Sequence, residues 1–162
     1  MSPLYPPDTV YFYAQTDAYS EFSNFAPYGI AMDGAWWRTV EHYFQAQKFH
    51  DAAYRERIRL SNRPKDAKAL GMTRAIPLRP DWEDAKDGIM MEAVTVKFET
   101  HAELAQLLLS TGERLIVENA PMDAYWGCGP DGNGLNKLGR ILMKVREMLR
   151  GQQPRKDASS RR

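Results

Sequence analysis

The chain has 162 residues, 43% of them hydrophobic and 27% charged, and its 22 Lys and Arg nearly balance its 21 Asp and Glu. This composition excludes a disordered or fibrous protein, and the near-neutral charge argues against general nucleic-acid binding. A single cysteine, Cys128, excludes an internal disulfide, and the sequence shows neither a signal-peptide pattern nor an apolar run of ~18 residues. We expect a soluble, cytoplasmic protein without membrane contact, with a lead-in over residues 1–9, one domain over 10–150 and a disordered basic tail over 151–162.

The first half of the chain predicts a strand, a hairpin and three helices. The β-branched and aromatic run Val10–Tyr13 is typical of a strand. Asp33 and Gly34 stand between two apolar runs and can adopt the positive φ angles of a two-residue hairpin turn. Thr39 can cap the first helix through its hydroxyl, and Pro64 suits the first position of the third. These helices are predicted over residues 40–50, 52–60 and 64–71.

The second half predicts three more helices and one strand. Asp81 is expected to cap a long helix, and Gly112 to end the next one. The long helix carries a predicted apolar stripe of Ala85, Ile89, Ala93, Val94 and Val96. In order, the elements are helices over 81–101 and 102–112, a strand over 114–118 and a helix over 138–150. Because strands and helices do not alternate strictly, we predict an α+β fold: one helix-rich domain with a small antiparallel sheet.

Gly127, Gly129 and Gly132 have the G-x-G-x-x-G spacing of dinucleotide-binding loops. Such a loop follows a strand directly, whereas residues 121–123 separate the preceding strand from Gly127, and Pro130 interrupts the motif. The context therefore excludes a Rossmann domain. Two interpretations stay open: a long surface turn, or a loop leading into a helix whose free N-terminal amides, near Asn136, hold phosphate.

The first predicted helix carries Glu41, Gln45 and Lys48 on one face, because they are spaced at i, i+4 and i+7. Its opposite face is not cleanly apolar, and Phe44 stands among the three polar residues. The pattern fits an enclosed helix whose polar face lines a cleft. It also fits a solvated ladder in which Glu41 complements the helix dipole.

Carboxylates occur beside indole rings at two places, with Asp123 three residues before Trp126, and Asp81 next to Trp82. Aromatic faces beside a carboxylate suit a planar base joined to a sugar, although these tryptophans can equally fill the core. The three histidines are too scattered for a metal site, so we expect neither a metal nor another cofactor.

Six longer motifs follow one another along the chain. They are YSEFSNFAPYGI (19–30), WWRTVEHYFQAQKF (36–49), RPKDAKALG (63–71), RPDW (79–82), PMDAYWGCG (121–129) and GLNKLGRILMKVRE (134–147). In this order they resemble the NADAR family, also called YbiA-like proteins, and the resemblance extends from about Val10 to Leu149. It implies a compact, helix-rich α+β domain with N-glycosidase activity.

The resemblance also implies a class of substrate. Members of the family are associated with hydrolysing ribosylamino-pyrimidine phosphates of riboflavin biosynthesis, and with removing ADP-ribose from guanine in nucleic acid. The expected partner is a small phosphorylated nucleoside-like or ADP-ribosyl substrate, with ADP-ribosylated DNA as an alternative. The near-neutral charge favours the small substrate. Two other hypotheses are a non-catalytic module that binds ADP-ribose or a nucleotide, and a helical adaptor whose aromatic residues form the core.

Site residues follow from the same resemblance. It implies a pocket built from Asn24, Phe25, Glu41, Lys48, Lys68, Trp82, Asp123, Trp126 and Asn136, to which we add Gln45 and Gly127. Cleavage of a C–N glycosidic bond needs negative charge near the anomeric carbon, so Glu41 is the expected general base and Asp123 the second carboxylate. The two tryptophans would stack on base or ribose, and the lysines would hold phosphate. Alternatively, a desolvated Lys48 or Lys68 attacks the opened sugar to form a Schiff base.

Overall fold

Six helices and four short strands make up the part of the chain that the computed structural model describes, residues 4–153. The strands are β1 (Val10–Phe12), β2 (Ile30–Met32), β3 (Ala35–Trp37) and β4 (Ile116–Glu118), and a 3-10 helix covers Ser20–Phe22. The helices are α1 (Val40–Gln47), α2 (Ala52–Leu60), α3 (Pro64–Gly71), α4 (Trp82–Thr100), α5 (Ala102–Ser110) and α6 (Lys137–Gln152). This is the predicted helix-rich α+β fold. The predicted tail lies outside the described residues from position 154 onward, and α6 continues two residues beyond position 150.

Helix α1 lies at the centre of the fold. All eight of its residues are buried, and it packs against α2, α3 and α4. The Thr39 hydroxyl caps it as predicted, accepting a hydrogen bond from the His42 amide at 3.2 Å. The helix ends at Gln47, three residues before the predicted end, and Lys48 is its C-terminal cap. Helix α1 is therefore enclosed, and the alternative of a solvated ladder of Glu41, Gln45 and Lys48 is excluded.

The strands form two separate pairs. Strands β2 and β3 are antiparallel and meet at the predicted hairpin turn, where Asp33 and Gly34 have φ angles of 55° and 73°. Strands β1 and β4 are parallel, with Phe12 beside Glu118. The sequence pattern did not indicate this parallel pair, because its strands are separated by five helices and no local signal specifies their partner. The parallel pairing brings the carboxyl ends of β1 and β4 to one edge, where Glu118 ends β4.

Helix α4 is buried along a stripe that includes Ala93 and Val94 of the predicted one, whereas Ala85, Ile89 and Val96 are half-buried. Its buried residues are Trp82, Met90, Ala93, Val94, Lys97 and Phe98. The stripe differs because α1, α5, α6 and β2 all contact this helix, so burial is not confined to the most apolar face. Asp81 precedes the helix without a side-chain cap bond, since its carboxylate pairs instead with Arg79 at 2.7 Å. None of the described helices has the length and apolar character that a membrane span requires.

Candidate active site

A cleft of about 300 Å³ opens beside α1, and we call it the narrow chamber. Its lining contains nearly all the predicted site residues: Asn24, Phe25, Glu41, Gln45, Lys48, Lys68, Trp82, Asp123 and Trp126. Ser23, Phe44, Lys86, Met90, Glu118 and Tyr125 complete it. Residues from α1 and its C-terminal cap, α3, α4, the end of β4 and two loops, 23–25 and 123–126, thus meet around one hollow.

Glu41 lies at the base of the narrow chamber and is buried. Its Oε1 accepts a hydrogen bond from Gln45 Nε2 at 2.7 Å, one helical turn further along α1. Burial raises the pKa of the Glu41 carboxyl, while the Gln45 bond and the charges of Lys68 and Lys48 oppose this shift. A buried carboxylate held by an amide and faced by two cations is suited to accept a proton or stabilise a positive charge.

The loop after the 3-10 helix covers the start of α1. The Glu41 amide donates to the Asn24 carbonyl at 3.2 Å, and Asn24 Nδ2 lies 3.4 Å from Met90 Sδ. Lys97 holds this loop in place, because its Nζ donates to the Glu21 carbonyl at 2.7 Å and to the Ser23 carbonyl at 2.9 Å. Asn24 Oδ1 is buried without a partner among the described residues, so a ligand can supply one.

Aromatic rings form one wall of the narrow chamber. The Phe44 ring lies between the two indoles, 5.0 Å from Trp82 and 5.4 Å from Trp126 between ring centroids. Asp123 positions the second indole: its Oδ1 accepts hydrogen bonds from the amides of Trp126 at 2.8 Å and Tyr125 at 3.0 Å. The carboxylate and the indole are therefore coupled through the backbone, and both line the hollow.

Three lysines supply positive charge to the narrow chamber. Lys48 is half-buried, and burial lowers its pKa, an effect that nearby Glu41 opposes. Lys68 is exposed, with Nζ 5.9 Å from the centroid of the Phe25 ring. Lys86 Nζ lies 4.1 Å from the centroid of the Tyr125 ring. Of the two lysines predicted as nucleophiles, Lys48 is half-buried and Lys68 is exposed, so the partial burial that favours an uncharged amine is found at Lys48.

A second, larger hollow of about 700 Å³, the wide chamber, adjoins the first. The two share Ser23, Phe25, Lys68, Glu118 and Asp123 in their linings. The remaining lining of the wide chamber includes Tyr13, Glu21, Pro27, Tyr28 and Met122. A ligand bound in the narrow chamber can extend across the shared residues into the wide one.

Comparison with known proteins identifies the family of this chain. The family model for the NADAR domain matches residues 11–150, nearly the whole chain. The chain belongs to the NADAR family.

Relatives of this NADAR protein carry names that describe an activity. It is 51% identical to the N-glycosidase YbiA of Escherichia coli over 138 residues, 85% of this chain and 86% of the relative. It is 50% identical to an N-glycosidase of Nostoc punctiforme, over 88% of this chain and 93% of the relative. A maize protein named Riboflavin biosynthesis protein PYRR is 39% identical, over 93% of this chain and 26% of that longer protein.

The fold agrees with a solved structure of the family. The NMR structure of Escherichia coli YbiA superposes with a TM-score of 0.82 at 47% identity, covering 93% of this chain and 92% of that chain. The NADAR fold was therefore correctly expected from the motifs.

Two predicted site residues lie outside both chambers of the NADAR domain. Asn136 is buried and has φ 49°, and its side chain bonds to β4, accepting from the Glu118 amide and donating to the Ile116 carbonyl. Gly127 is buried in the loop, where a Cβ would lie 2.8 Å from Ala120 Cβ and 2.9 Å from the Glu118 carbonyl. Both residues therefore pack the loop against β4, and neither lines the two chambers.

The phosphate site predicted at the start of α6 is wrong for the same reason. The amides of Asn136, Lys137 and Leu138 donate to the carbonyls of Gly127, Tyr125 and Trp126 at 3.0–3.1 Å. These donors are satisfied within the chain and are not free to hold an anion. The glycine loop is a surface turn only in its second half: Pro130, Asp131 and Asn133 are exposed, whereas residues 127–129 are buried. Close packing explains why glycine is needed at Gly127 and Gly129.

Several lining residues were missed in the sequence. Lys86 and Met90 follow Trp82 at i+4 and i+8, so the regular spacing of one helix face was the signal that identifies them. Glu118 ends a short apolar strand, and an acid directly after such a strand is a signal for a site at the sheet edge. In the sequence Phe44 only interrupts the polar face of α1, whereas in the structure its ring packs between the two indoles.

Other chemistry finds no support in the described part of the NADAR domain. Across residues 4–153, no three His, Cys, Asp or Glu side chains are grouped so that they could hold a metal ion. Cys128 is buried, and burial raises the pKa of its thiol, so it is not poised as a nucleophile.

Proposed function

We propose that this NADAR protein hydrolyses the C–N glycosidic bond of phosphorylated ribosylamino-pyrimidines, the early intermediates of riboflavin biosynthesis. Its reaction class follows from its relatives, since it is 50–51% identical over most of its length to proteins named N-glycosidases. The chain is an N-glycosidase. The riboflavin substrate is supported by two relatives at 39% identity, from maize and Vibrio vulnificus, that are named riboflavin biosynthesis proteins.

The observation that carries the proposal is the buried Glu41 carboxyl, which faces a hollow walled by indoles and lysines. Breaking a glycosidic bond passes through an oxocarbenium-like state with positive charge at the anomeric carbon. Glu41 would stabilise that charge and accept the proton of the attacking water, and Asp123 would add a second negative charge. Trp82 and Trp126 would stack on the base or ribose.

Positive groups around the narrow chamber suit the phosphate of such a substrate. Lys48, Lys68 and Lys86 all line it, and Arg74 lies close enough to Lys48 to lower the pKa of that amine further. We assign phosphate binding to the exposed Lys68 together with Lys86. Lysine serves here as a point charge, which the flexible side chain can bring to the anion.

A covalent route is the alternative mechanism. Burial lowers the pKa of Lys48, which favours the uncharged amine that attacks a sugar in its open aldehyde form. Borohydride reduction of the reacting mixture distinguishes the covalent route from hydrolysis by activated water. Reduction during turnover would trap a ribosyl adduct on Lys48 in the covalent route, whereas hydrolysis by activated water leaves the protein unmodified.

A second candidate substrate is guanine that carries ADP-ribose. The wide chamber favours it, because about 700 Å³ of adjoining space exceeds what a ribosylamino-pyrimidine phosphate needs. ADP-ribosylated DNA would be the partner in that reaction. The near-equal numbers of basic and acidic residues favour the small substrate over a nucleic-acid polymer.

The experiment offers the purified protein two substrates in parallel: a ribosylamino-pyrimidine phosphate and guanine-ADP-ribosylated DNA. Mass spectrometry then follows release of ribose phosphate or ADP-ribose. We expect the first substrate to be hydrolysed faster, with Glu41→Gln as the inactive control. Tight binding of ADP-ribose without release of base over hours would instead identify a non-catalytic binding module and contradict the proposal.

A further inference from the structure

Glu118 is a carboxyl group for which the mechanism above has no use. It ends β4 and lines both the narrow and the wide chamber. Its backbone is held on both sides, since its amide donates to Asn136 Oδ1 at 3.0 Å and its carbonyl accepts from the Cys128 amide at 2.9 Å. Its Oε2, in contrast, is buried without a hydrogen-bond partner among the described residues. The backbone hydrogen bonds fix the strand end in place, and Oε2 is open to a hydrogen bond from a ligand.

The charges around Glu118 favour its protonated form. Burial, together with the charges of Asp123 and Glu41, raises the pKa of Glu118 to about 8, and only Lys68 opposes the shift. Burial also raises the pKa of Glu41, but there a Gln45 hydrogen bond and the charges of two lysines oppose the shift. Glu118 Oε2 has no such hydrogen bond among the described residues, so the surroundings of the two carboxyls differ, and a difference of this kind is how a site obtains an acid and a base at the same pH.

We propose that Glu118 is the catalytic acid of this site and gives its proton to the nitrogen of the departing base. The inference rests on the proposed function, and it adds the group that lets a poor leaving group depart. The position fits the task, since the carboxyl lines both chambers and can therefore lie beside the scissile bond of a ligand that extends from one into the other.

The step balances with groups of this chain and one water. As the C–N bond breaks, its electron pair stays on nitrogen, which takes the proton of Glu118. The water oxygen bonds to the anomeric carbon and releases its proton to Glu41. Solvent then carries a proton from Glu41 back to Glu118, so that each turnover consumes one water and leaves both carboxyls as they began.

The test compares two glycosides with Glu118→Gln, which keeps the shape of the neutral acid but cannot release a proton. The first is the ribosylamino-pyrimidine phosphate, whose base needs a proton to leave. The second is para-nitrophenyl riboside 5-phosphate, whose phenolate leaves without one. We expect a loss of at least ~100-fold on the first and a change of less than about 3-fold on the second. Glu99→Gln, an exposed carboxyl on α4, is the control and should leave both rates unchanged.

A second readout does not depend on activity. The pKa of Glu118 is about 8 in the folded protein, against 4.5 for an ordinary glutamate, so the folded state holds more protons between these pH values. Stability from this group is therefore present below pH 4.5 and is lost as pH rises through about 8. The free energy of unfolding of the wild type should fall relative to that of Glu118→Gln across this window. Glu118→Asp, which keeps an acid, should recover part of the lost rate.

Three results would overturn the assignment. They are equal losses on both glycosides, an unchanged rate on the first, and a wild type whose stability runs parallel to that of Glu118→Gln across the pH window. A wild type that cleaves neither glycoside is a different outcome, because it overturns the proposed function and this inference with it.

Discussion

Gln45 Nε2 donates a 2.7 Å hydrogen bond to Glu41 Oε1, and both side chains are buried at the base of the narrow chamber. Burial raises the pKa of the Glu41 carboxyl, and this bond opposes that shift while it holds the carboxyl in place. Glu41→Gln preserves the shape and removes the charge, so we expect a loss of at least ~100-fold in kcat with little change in the melting temperature. Steady-state kinetics measure this. Near-normal turnover by this variant would remove Glu41 from its role, and Glu56→Gln, at an exposed carboxyl on α2, serves as the control.

A substitution at Gly71 tests the same Glu41–Gln45 pair, because Gly71 lies next to the Gln45 side chain. A Cβ at this position would lie 1.9 Å from Gln45 Oε1 and 2.8 Å from Gln45 Cδ, so Gly71→Ala forces Gln45 to move. Because a displacement of about 1 Å near the reacting groups can cost 100-fold, we expect kcat/KM to fall at least about 10-fold. Gly88→Ala is the matched control, since nothing lies within 4 Å of its Cβ. That change should leave activity intact and raise stability by about 0.5–1 kcal/mol. Equal activity of the two variants would contradict the coupling.

Asp123 supplies both a charge and an acceptor for two backbone amides. Asp123→Asn removes the charge and retains a carbonyl acceptor, whereas Asp123→Ala removes both. We expect Asn to lower kcat about 10-fold or more, and Ala to lower it further and to shift the fluorescence of Trp126. Stability should drop by about 1 kcal/mol in the Ala variant only. Indistinguishable kinetics and spectra for the two variants would show that the hydrogen bonds to Tyr125 and Trp126 do not matter to the site.

Trp126 is expected to act through its aromatic face. Stacking of a base on an aromatic ring is worth about 1–3 kcal/mol, so Trp126→Ala should raise KM about 10-fold or more, and Trp126→Phe less. Trp36, which is 53% exposed and lies outside both chambers, provides the control in Trp36→Phe. An unchanged KM in Trp126→Ala would place the base elsewhere.

Lys97 should make stability depend on pH. Burial lowers its pKa to about 7, against 10.5 for an ordinary lysine, while the nearby Glu21 opposes the shift. Between these values the unfolded chain holds more protons than the folded protein, so the stability of the wild type rises with pH across the window. Lys97→Met loses two hydrogen bonds to the loop before α1 and should be less stable at every pH.

The measurement for Lys97 is the free energy of unfolding by urea at a series of pH values. The deficit of Lys97→Met relative to the wild type should grow from pH 7 toward pH 10.5, because only the wild type gains stability there. Lys144→Met, which changes an exposed lysine on α6, should show no such trend. A deficit independent of pH would mean that Lys97 keeps an ordinary pKa.

Much of the fold could be predicted from short stretches of the sequence, and for physical reasons. The hairpin turn needs φ angles that Asp33 and Gly34 tolerate, the Thr39 hydroxyl can reach an amide of the turn that follows it, and Pro64 suits a first helical position. The helical period alone places Glu41 and Gln45 on one face, so their hydrogen bond was implicit in the sequence. These features involve residues within four positions of each other.

The features that only the tertiary structure decided involve residues far apart along the chain. The parallel pairing of β1 with β4 brings Glu118 into the site, and no local pattern specifies that pairing. Asn136, a predicted ligand-binding residue, instead bonds to β4, and Lys97 is buried beneath a loop that precedes it by more than seventy positions. Burial, strand pairing and pKa shifts depend on which distant groups come together, so the same side chain can be a ligand contact or a structural anchor until the whole chain has folded.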